Sequence, residues 1–158
     1  MKKKHKNLPL RSGVGIVLLN KKNKVFVAKR IDNPKNFWQM PQGGVDKEEN
    51  YYQAALRELK EETSIVSVEL IKKIDKKLTY ILPENLIGII WKGKFKGQIQ
   101  QWFIMRFVGN DSEINIKTKK PEFLDWKWIN VEDLPKIAVK FKLDVYKNLK
   151  NEVEKILN

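Results

Sequence analysis

Apolar residues in the first third of the chain gather in short runs. Residues 14–19 and 25–29 are rich in β-branched side chains and flank the polar stretch 20–23, which predicts two strands joined by a turn. Between positions 50 and 62 there is no Gly or Pro, and Ala, Leu, Glu, Gln and Lys dominate. That composition predicts a helix, with Ala55, Leu56 and Leu59 as its apolar side. Further runs at 66–71, 86–91, 102–107 and 123–128 are β-branched or aromatic and are separated by Gly, Pro or charge, so each predicts an extended segment. Residues 131–134 predict a helical turn, and 143–157 an amphipathic helix with Val145, Leu149, Val153, Ile156 and Leu157 on one side. Strands interleaved with helices near both ends of the chain predict an α/β fold in which a mixed sheet lies between helical layers.

Composition narrows the class. A chain of 158 residues with 42% hydrophobic content buries one core, and no repeat or linker divides it, so residues 1–158 are expected to form a single domain. With no cysteine, disulfides, thiolate metal sites and a Cys nucleophile are all excluded. His5 is the only histidine and lies in a lysine-rich segment, residues 1–10, expected to be mobile. A His-based triad is thereby excluded, and carboxylates remain as the general acids and bases. The basic start followed by an apolar run mimics a secretory signal, but the run is too short and no small-residue cleavage site follows. No other stretch approaches a membrane span, so a cytoplasmic protein is expected. The net charge of +13 favours anionic partners, although only Arg11, Arg30, Arg57 and Arg106 among the 32 basic residues are arginine. Much of that charge reflects a preference for Lys over Arg; what remains is a surface that attracts a polyphosphate or an RNA end.

The strongest chemical signal lies in residues 43–65, GGVDKEENYYQAALRELKEETSI. On the predicted helix Glu58, Glu61 and Glu62 stand at i, i+3 and i+4, which places three carboxylates on one face. Such a cluster repels itself unless a cation sits among the groups, and hard oxygen donors select Mg²⁺, Mn²⁺ or Ca²⁺ over zinc. Just before the helix, Pro41-Gln42-Gly43-Gly44 reads as a loop whose glycines let backbone approach a metal or phosphate. Taken alone, the helix also fits a solvated surface on which Glu pairs with Lys60 and Arg57. It is the combination with Gly43 and Glu49 at fixed spacing that favours the site.

That combination resembles the Nudix box, G-x5-E-x7-R-E-U-x-E-E-x-G-U with U aliphatic, and matches it at every specified position except Ser64. Glycine there would supply a positive-φ helix exit; serine in the same geometry costs about 1 kcal/mol. The resemblance implies a Nudix-type α/β/α sandwich with a mixed β-sheet. Arg11-Ser12-Gly13-Val14-Gly15-Ile16-Val17, Phe37-Trp38-Gln39-Met40-Pro41-Gln42-Gly43-Gly44, Tyr80-Ile81-Leu82-Pro83, Gly97-Gln98-Ile99-Gln100-Gln101-Trp102-Phe103, Pro121-Glu122-Phe123 with Trp126 and Trp128, and Phe141-Lys142-Leu143-Asp144-Val145-Tyr146 are similar to bacterial RNA pyrophosphohydrolases and the related dinucleoside polyphosphate hydrolases.

Carried over residue by residue, the resemblance implies that Glu58, Glu61, Glu62 and Glu122 are catalytic and bind Mg²⁺ or Mn²⁺, helped by a carbonyl of the Gly43-Gly44 loop. Glu49 and Arg57 would pair to hold helix and loop together. Arg11, Lys29 and Arg30 are candidate phosphate contacts, and Phe141 a candidate stacking surface for the first nucleobase. The implied reaction is metal-assisted hydrolysis of a phosphoanhydride, converting 5′-triphosphorylated RNA to 5′-monophosphorylated RNA and so promoting mRNA decay. Hydrolysis of diadenosine polyphosphates is the enzymatic alternative. A non-catalytic RNA- or nucleotide-binding Nudix module is the alternative of another class, whose mark would be loss of box glutamates. The sequence leaves the oligomeric state and the identity of the general base open.

Overall fold

A computed structural model describes residues 2–32 and 35–158. The strands are β1 (Leu10–Leu19), β2 (Val25–Arg30), β3 (Gln42–Gly44), β4 (Val68–Lys73), β5 (Leu78–Ile81), β6 (Gly97–Phe107) and β7 (Phe123–Ile129), and the helices are α1 (Lys3–Lys6), α2 (Tyr51–Thr63), α3 (Leu134–Ile137) and α4 (Leu143–Leu157). The sheet runs β4-β6-β1-β2-β7, with β3 added to β1 and β5 to β6. Among these strands β1 and β6 pair in parallel, in unbroken register from Leu10↔Gly97 to Leu19↔Arg106, so the sheet is mixed as expected.

Period-two alternation splits the core between the two faces of the sheet. Val17, Leu19, Val25, Val27, Trp102 and Ile104 point to one side and pack on Val145, Tyr146, Leu149 and Val153 of α4. Ile16, Leu18, Phe26, Ala28, Phe103 and Met105 point to the other and pack on Ala54, Ala55 and Leu59 of α2. β1 is buried on both faces from Val14 onward, which is why its sequence reads as a continuous apolar run.

Local structure departs from the expected elements in several places. Residues 86–91 form no strand: Ile87 and Ile90 donate back to Pro83 and Leu86, and the chain closes in a 3₁₀ turn at Ile90–Gly93. Pro83 and the positive-φ Gly88 and Gly93 break the extended path there. β6 begins at Gly97, five residues before the apolar run, because its glutamines are buried and hydrogen-bonded rather than solvated. The glycines read as a loop before the helix are instead β3, antiparallel to β1 through Gly13↔Gly44 and Val14↔Gly43. β5, a strand of four residues directly after the pair Lys76-Lys77, has no counterpart among the expected elements. The basic start, expected to be mobile, carries α1, with His5 buried against Glu84 at 2.5 Å.

Candidate active site

The helix α2 starts on a full capping box: the Asn50 side chain accepts from Gln53 N–H, and the Gln53 side chain accepts from Asn50 N–H. It ends on Ser64 at φ 68°, the left-handed exit the glycine would have supplied. Ser64 Oγ donates to the Asn115 carbonyl at 2.8 Å, a contact glycine lacks, which offsets part of the strain. Capped at one end and tied at the other, α2 presents its polar face beside β3.

Arg57 joins those two elements. Its Nε and Nη2 donate in a fork to Glu49 at 2.8 and 2.9 Å, Nη2 also donates to the Gly44 carbonyl at 2.9 Å, and Nη1 donates to Glu58 at 2.9 Å and Glu61 at 3.2 Å. The fork holds Glu49 down to about 2 and raises the guanidinium. At Gly43 a Cβ would collide with the Glu58 carboxyl, so backbone and carboxylate meet as only glycine permits.

Glu62 is treated differently. It is 2% exposed, and neither carboxylate oxygen has a hydrogen-bond partner among the described residues. Burial pushes its pKa well up, the negative charges of Glu122 and Glu58 push it further, as does the approach of its carboxyl to that of Glu58, where a hydrogen bond forms only if one of the two is protonated, and Arg30 opposes them. Glu58 is also raised by burial, with Arg57 pulling it back. Glu61 stands apart: its side chain is 59% exposed and its carboxylate turns to Arg57. The helix therefore does not present its three glutamates alike. As these side chains stand, no three of the described His, Cys, Asp or Glu residues form a ready metal cluster.

A cavity of about 730 Å³ opens beside β3 and takes in Gly43, Gly44, Glu58 and Glu122. Arg11, Arg30, Trp91, Tyr80 and Phe141 line the remainder. Arg11 lies over the Trp91 ring at 5.4 Å, and Arg30 is forked onto Asp32 at 2.7 and 2.9 Å, so Asp32 already holds the guanidinium expected to meet a phosphate. Phe141 packs on Tyr80 with ring centroids 5.6 Å apart. Lys29, by contrast, is not part of the lining and approaches Trp38.

Sequence reasoning missed Lys142. Its side chain is buried beside Phe141, it lines the cavity, and it has no hydrogen bond or ion pair among the described residues. Burial pushes its ammonium down to about 8, with the positive charge of Arg30 adding to the effect and the carboxylate of Glu62 opposing it. A lysine within the amphipathic approach to α4 looks solvated in sequence; only the fold brings it under the aromatic wall. Gln42, Gln98 and Gln100 were also missed as a unit. Gln100 Nε2 donates to Gln42 at 3.0 Å and to Gln98 at 2.7 Å, and Tyr80 Oη donates to Gln98, tying the cavity wall to β3 and β6.

A family model described as NUDIX domain matches residues 9–149. An RNA pyrophosphohydrolase of Pelagibacter ubique (strain HTCC1062) is 68% identical over 152 residues, covering 96% of each chain. One from Wolbachia pipientis subsp. Culex pipiens is 47% identical over 145 residues, 91% of this chain and 89% of the relative. Among solved structures, the E. coli dihydroneopterin triphosphate pyrophosphohydrolase superposes with TM-score 0.68 at 20% identity, over 91% of this chain and 99% of that one. A C. elegans Ap4A hydrolase superposes with TM-score 0.64 at 21% identity, over 90% and 98% of the two chains. At those identities the solved structures establish the fold.

Proposed function

The chain belongs to the NUDIX domain family, and on that premise we propose that it is an RNA 5′ pyrophosphohydrolase, a cytoplasmic, divalent-metal-dependent enzyme that converts a 5′-triphosphate RNA end to a 5′-monophosphate. The observation that carries this reading is Glu62: a buried carboxylate with both oxygens unpartnered, next to Glu58 and Glu122. Buried charge without a partner is costly, and the like charges around it make the cost larger. A hard cation satisfies that donor set, so the residues fit Mg²⁺ or Mn²⁺. Glu58, Glu62 and Glu122 would hold it with a carbonyl of the Gly43-Gly44 loop, and Glu61 would join them on release from Arg57.

When bound, such an ion neutralises polyphosphate oxygens and acidifies a coordinated water. The protein does the rest. Phe141 stacks on the first base, Arg11, Arg30 and Lys142 meet the 5′ phosphates, and the Arg57 fork keeps Glu58 and β3 in register. Water adds across the anhydride that joins the α and β phosphorus atoms, that P–O bond breaks, its electron pair leaves with the departing pyrophosphate, a carboxylate of the set takes the water's proton, and a 5′-monophosphate end remains.

The high identity to proteins named RNA pyrophosphohydrolase supports RNA over a dinucleotide as the substrate. A product assay comparing 5′-triphosphorylated RNA with diadenosine polyphosphates at matched Mg²⁺ tests it. RNA is expected to give the higher kcat/KM and a 5′-monophosphate product; preferential cleavage of diadenosine tetraphosphate would replace this reading with the dinucleotide one.

A further inference from the structure

Beside the cavity, at the sheet edge formed by β7, the indole of Trp38 carries two ammonium groups. Lys127 Nζ lies 4.2 Å and Lys29 Nζ 5.8 Å from the ring centroid. Register explains the convergence: Lys127 stands opposite Val27, and Lys29 follows Val27 by two residues, so both lysines share one face of the β2–β7 pair. Asp125 is opposite Lys29 in register, yet its carboxylate accepts from Trp126 N–H at 2.8 Å and forms no ion pair with the lysine. Neither lysine has a hydrogen bond or ion pair among the described residues. Two like charges thus gather at one indole ring instead of at an acid, which leaves both available to an anion.

The position of this pair decides which anion. Trp38 lines the cavity, and its backbone N–H donates to the Ile137 carbonyl at 3.1 Å, from which the chain runs through Val139 to Phe141 on the cavity wall. Lys29 and Lys127 lie outside the lining, so an end group held by Arg11, Arg30 and Lys142 does not need them. A nucleic acid strand continuing out of the cavity does. Resting on the RNA reading above, we propose that Trp38, Lys29 and Lys127 form the exit path for the single strand downstream of the 5′ nucleotide. The two ammonium groups take successive phosphodiesters, and the indole holds them in place. A dinucleoside polyphosphate has no phosphodiester to reach this path.

Length and salt separate this role from general surface charge. With 5′-triphosphorylated oligonucleotides from dinucleotide to octanucleotide, Lys29→Gln/Lys127→Gln is expected to lower kcat/KM about tenfold on the longest and little on the shortest. The slope of log kcat/KM against log salt should fall by about 1.4, two contacts at about 0.7 each for a single strand. Lys127→Gln alone should leave diadenosine tetraphosphate hydrolysis unchanged. Trp38→Leu should reproduce the length-dependent loss, and the double variant covers the case in which it folds poorly. Binding of a 5′-monophosphorylated octanucleotide, read by fluorescence anisotropy, should weaken in parallel. A double variant with wild-type salt slope, or with equal loss at every length, overturns the path while leaving the enzyme an RNA hydrolase. A wild-type enzyme indifferent to length overturns the RNA reading and the path with it.

Discussion

Two groups of charge lie around the Glu58 wall of the cavity, and they are built in opposite ways. Around Arg57 all three guanidinium nitrogens are used, on Glu49, Glu58, Glu61 and the Gly44 carbonyl. Around Glu62 and Lys142 no ion pair forms among the described residues: the buried carboxylate faces Glu58 and Glu122, and the buried ammonium lies over the rings of Tyr80 at 5.3 Å and Phe141 at 6.0 Å. A protein optimised only for stability would pair or remove both. The contrast assigns different roles within the box motif. Arg57 and Glu49 tie α2 to β3, whereas Glu62 is left without an ion pair, as the proposed metal role requires.

The most direct way to break the contrast is to remove the orphan. Glu62→Gln should reduce kcat about a thousandfold, about 4 kcal/mol of barrier, because the buried anion that recruits the cation is gone. Thermal unfolding should show the same or a higher Tm, since the variant loses a buried unpaired charge and its repulsion from Glu58 and Glu122. A large drop in Tm would show that Glu62 is structural. Removing the paired group should do the reverse. Arg57→Ala is expected to lower activity about 10- to 100-fold, through misplacement of Glu58 and β3, and to lower Tm as well. Arg57→Lys should recover little, because an ammonium cannot reproduce the fork. Activity loss with unchanged Tm would contradict the assignment of Arg57 as a support.

The aromatic wall sharpens the comparison. Phe141 lines the cavity, and its ring packs at a tilt on Tyr80. Phe141→Ala should raise KM for triphosphorylated RNA by the loss of one stacking contact, about 1–3 kcal/mol, with kcat nearly constant. Loss of kcat at constant KM would mean that the ring positions catalytic groups and does not bind the base.

How much of this was legible in sequence follows from distance along the chain. Glu49, Arg57, Glu58, Glu61 and Glu62 lie within 14 residues, and the helical period fixes the mutual placement of the last four, so local spacing was sufficient. The unequal exposure of Glu61 and Glu62 was not legible, because it depends on which side of α2 meets the sheet. Lys142 acquires its surroundings only from contacts across the fold, whereas Asp32 pairs with Arg30 only two residues away. Residues 86–91 are as apolar and β-branched as a true strand; the Pro and Gly residues around them decided the outcome. β3 escaped notice because Gln-Gly-Gly has no strand propensity, and its pairing to β1 is a tertiary fact.

The smallest expected effect tests whether Lys142 is truly a charge without a partner. Its folded pKa lies at about 8, below the ordinary lysine value of 10.5. The unfolded chain therefore binds more protons than the folded one between those values, and stability must rise with pH across that window. Below about pH 8 the burial cost is fully present; above about 10.5 both states are neutral at this residue and the cost is gone. Lys142→Met removes the titration, so the difference in unfolding free energy between variant and wild type should shrink by about 1 kcal/mol or more as pH rises from 8 to 10.5. The comparison of two proteins at each pH cancels the titration of the other lysines. Inorganic pyrophosphate should flatten the wild-type dependence by giving the ammonium a counter-charge. A pH-independent difference would mean that Lys142 is already paired or solvated, and the division between completed and incomplete charges would then rest on Glu62 alone.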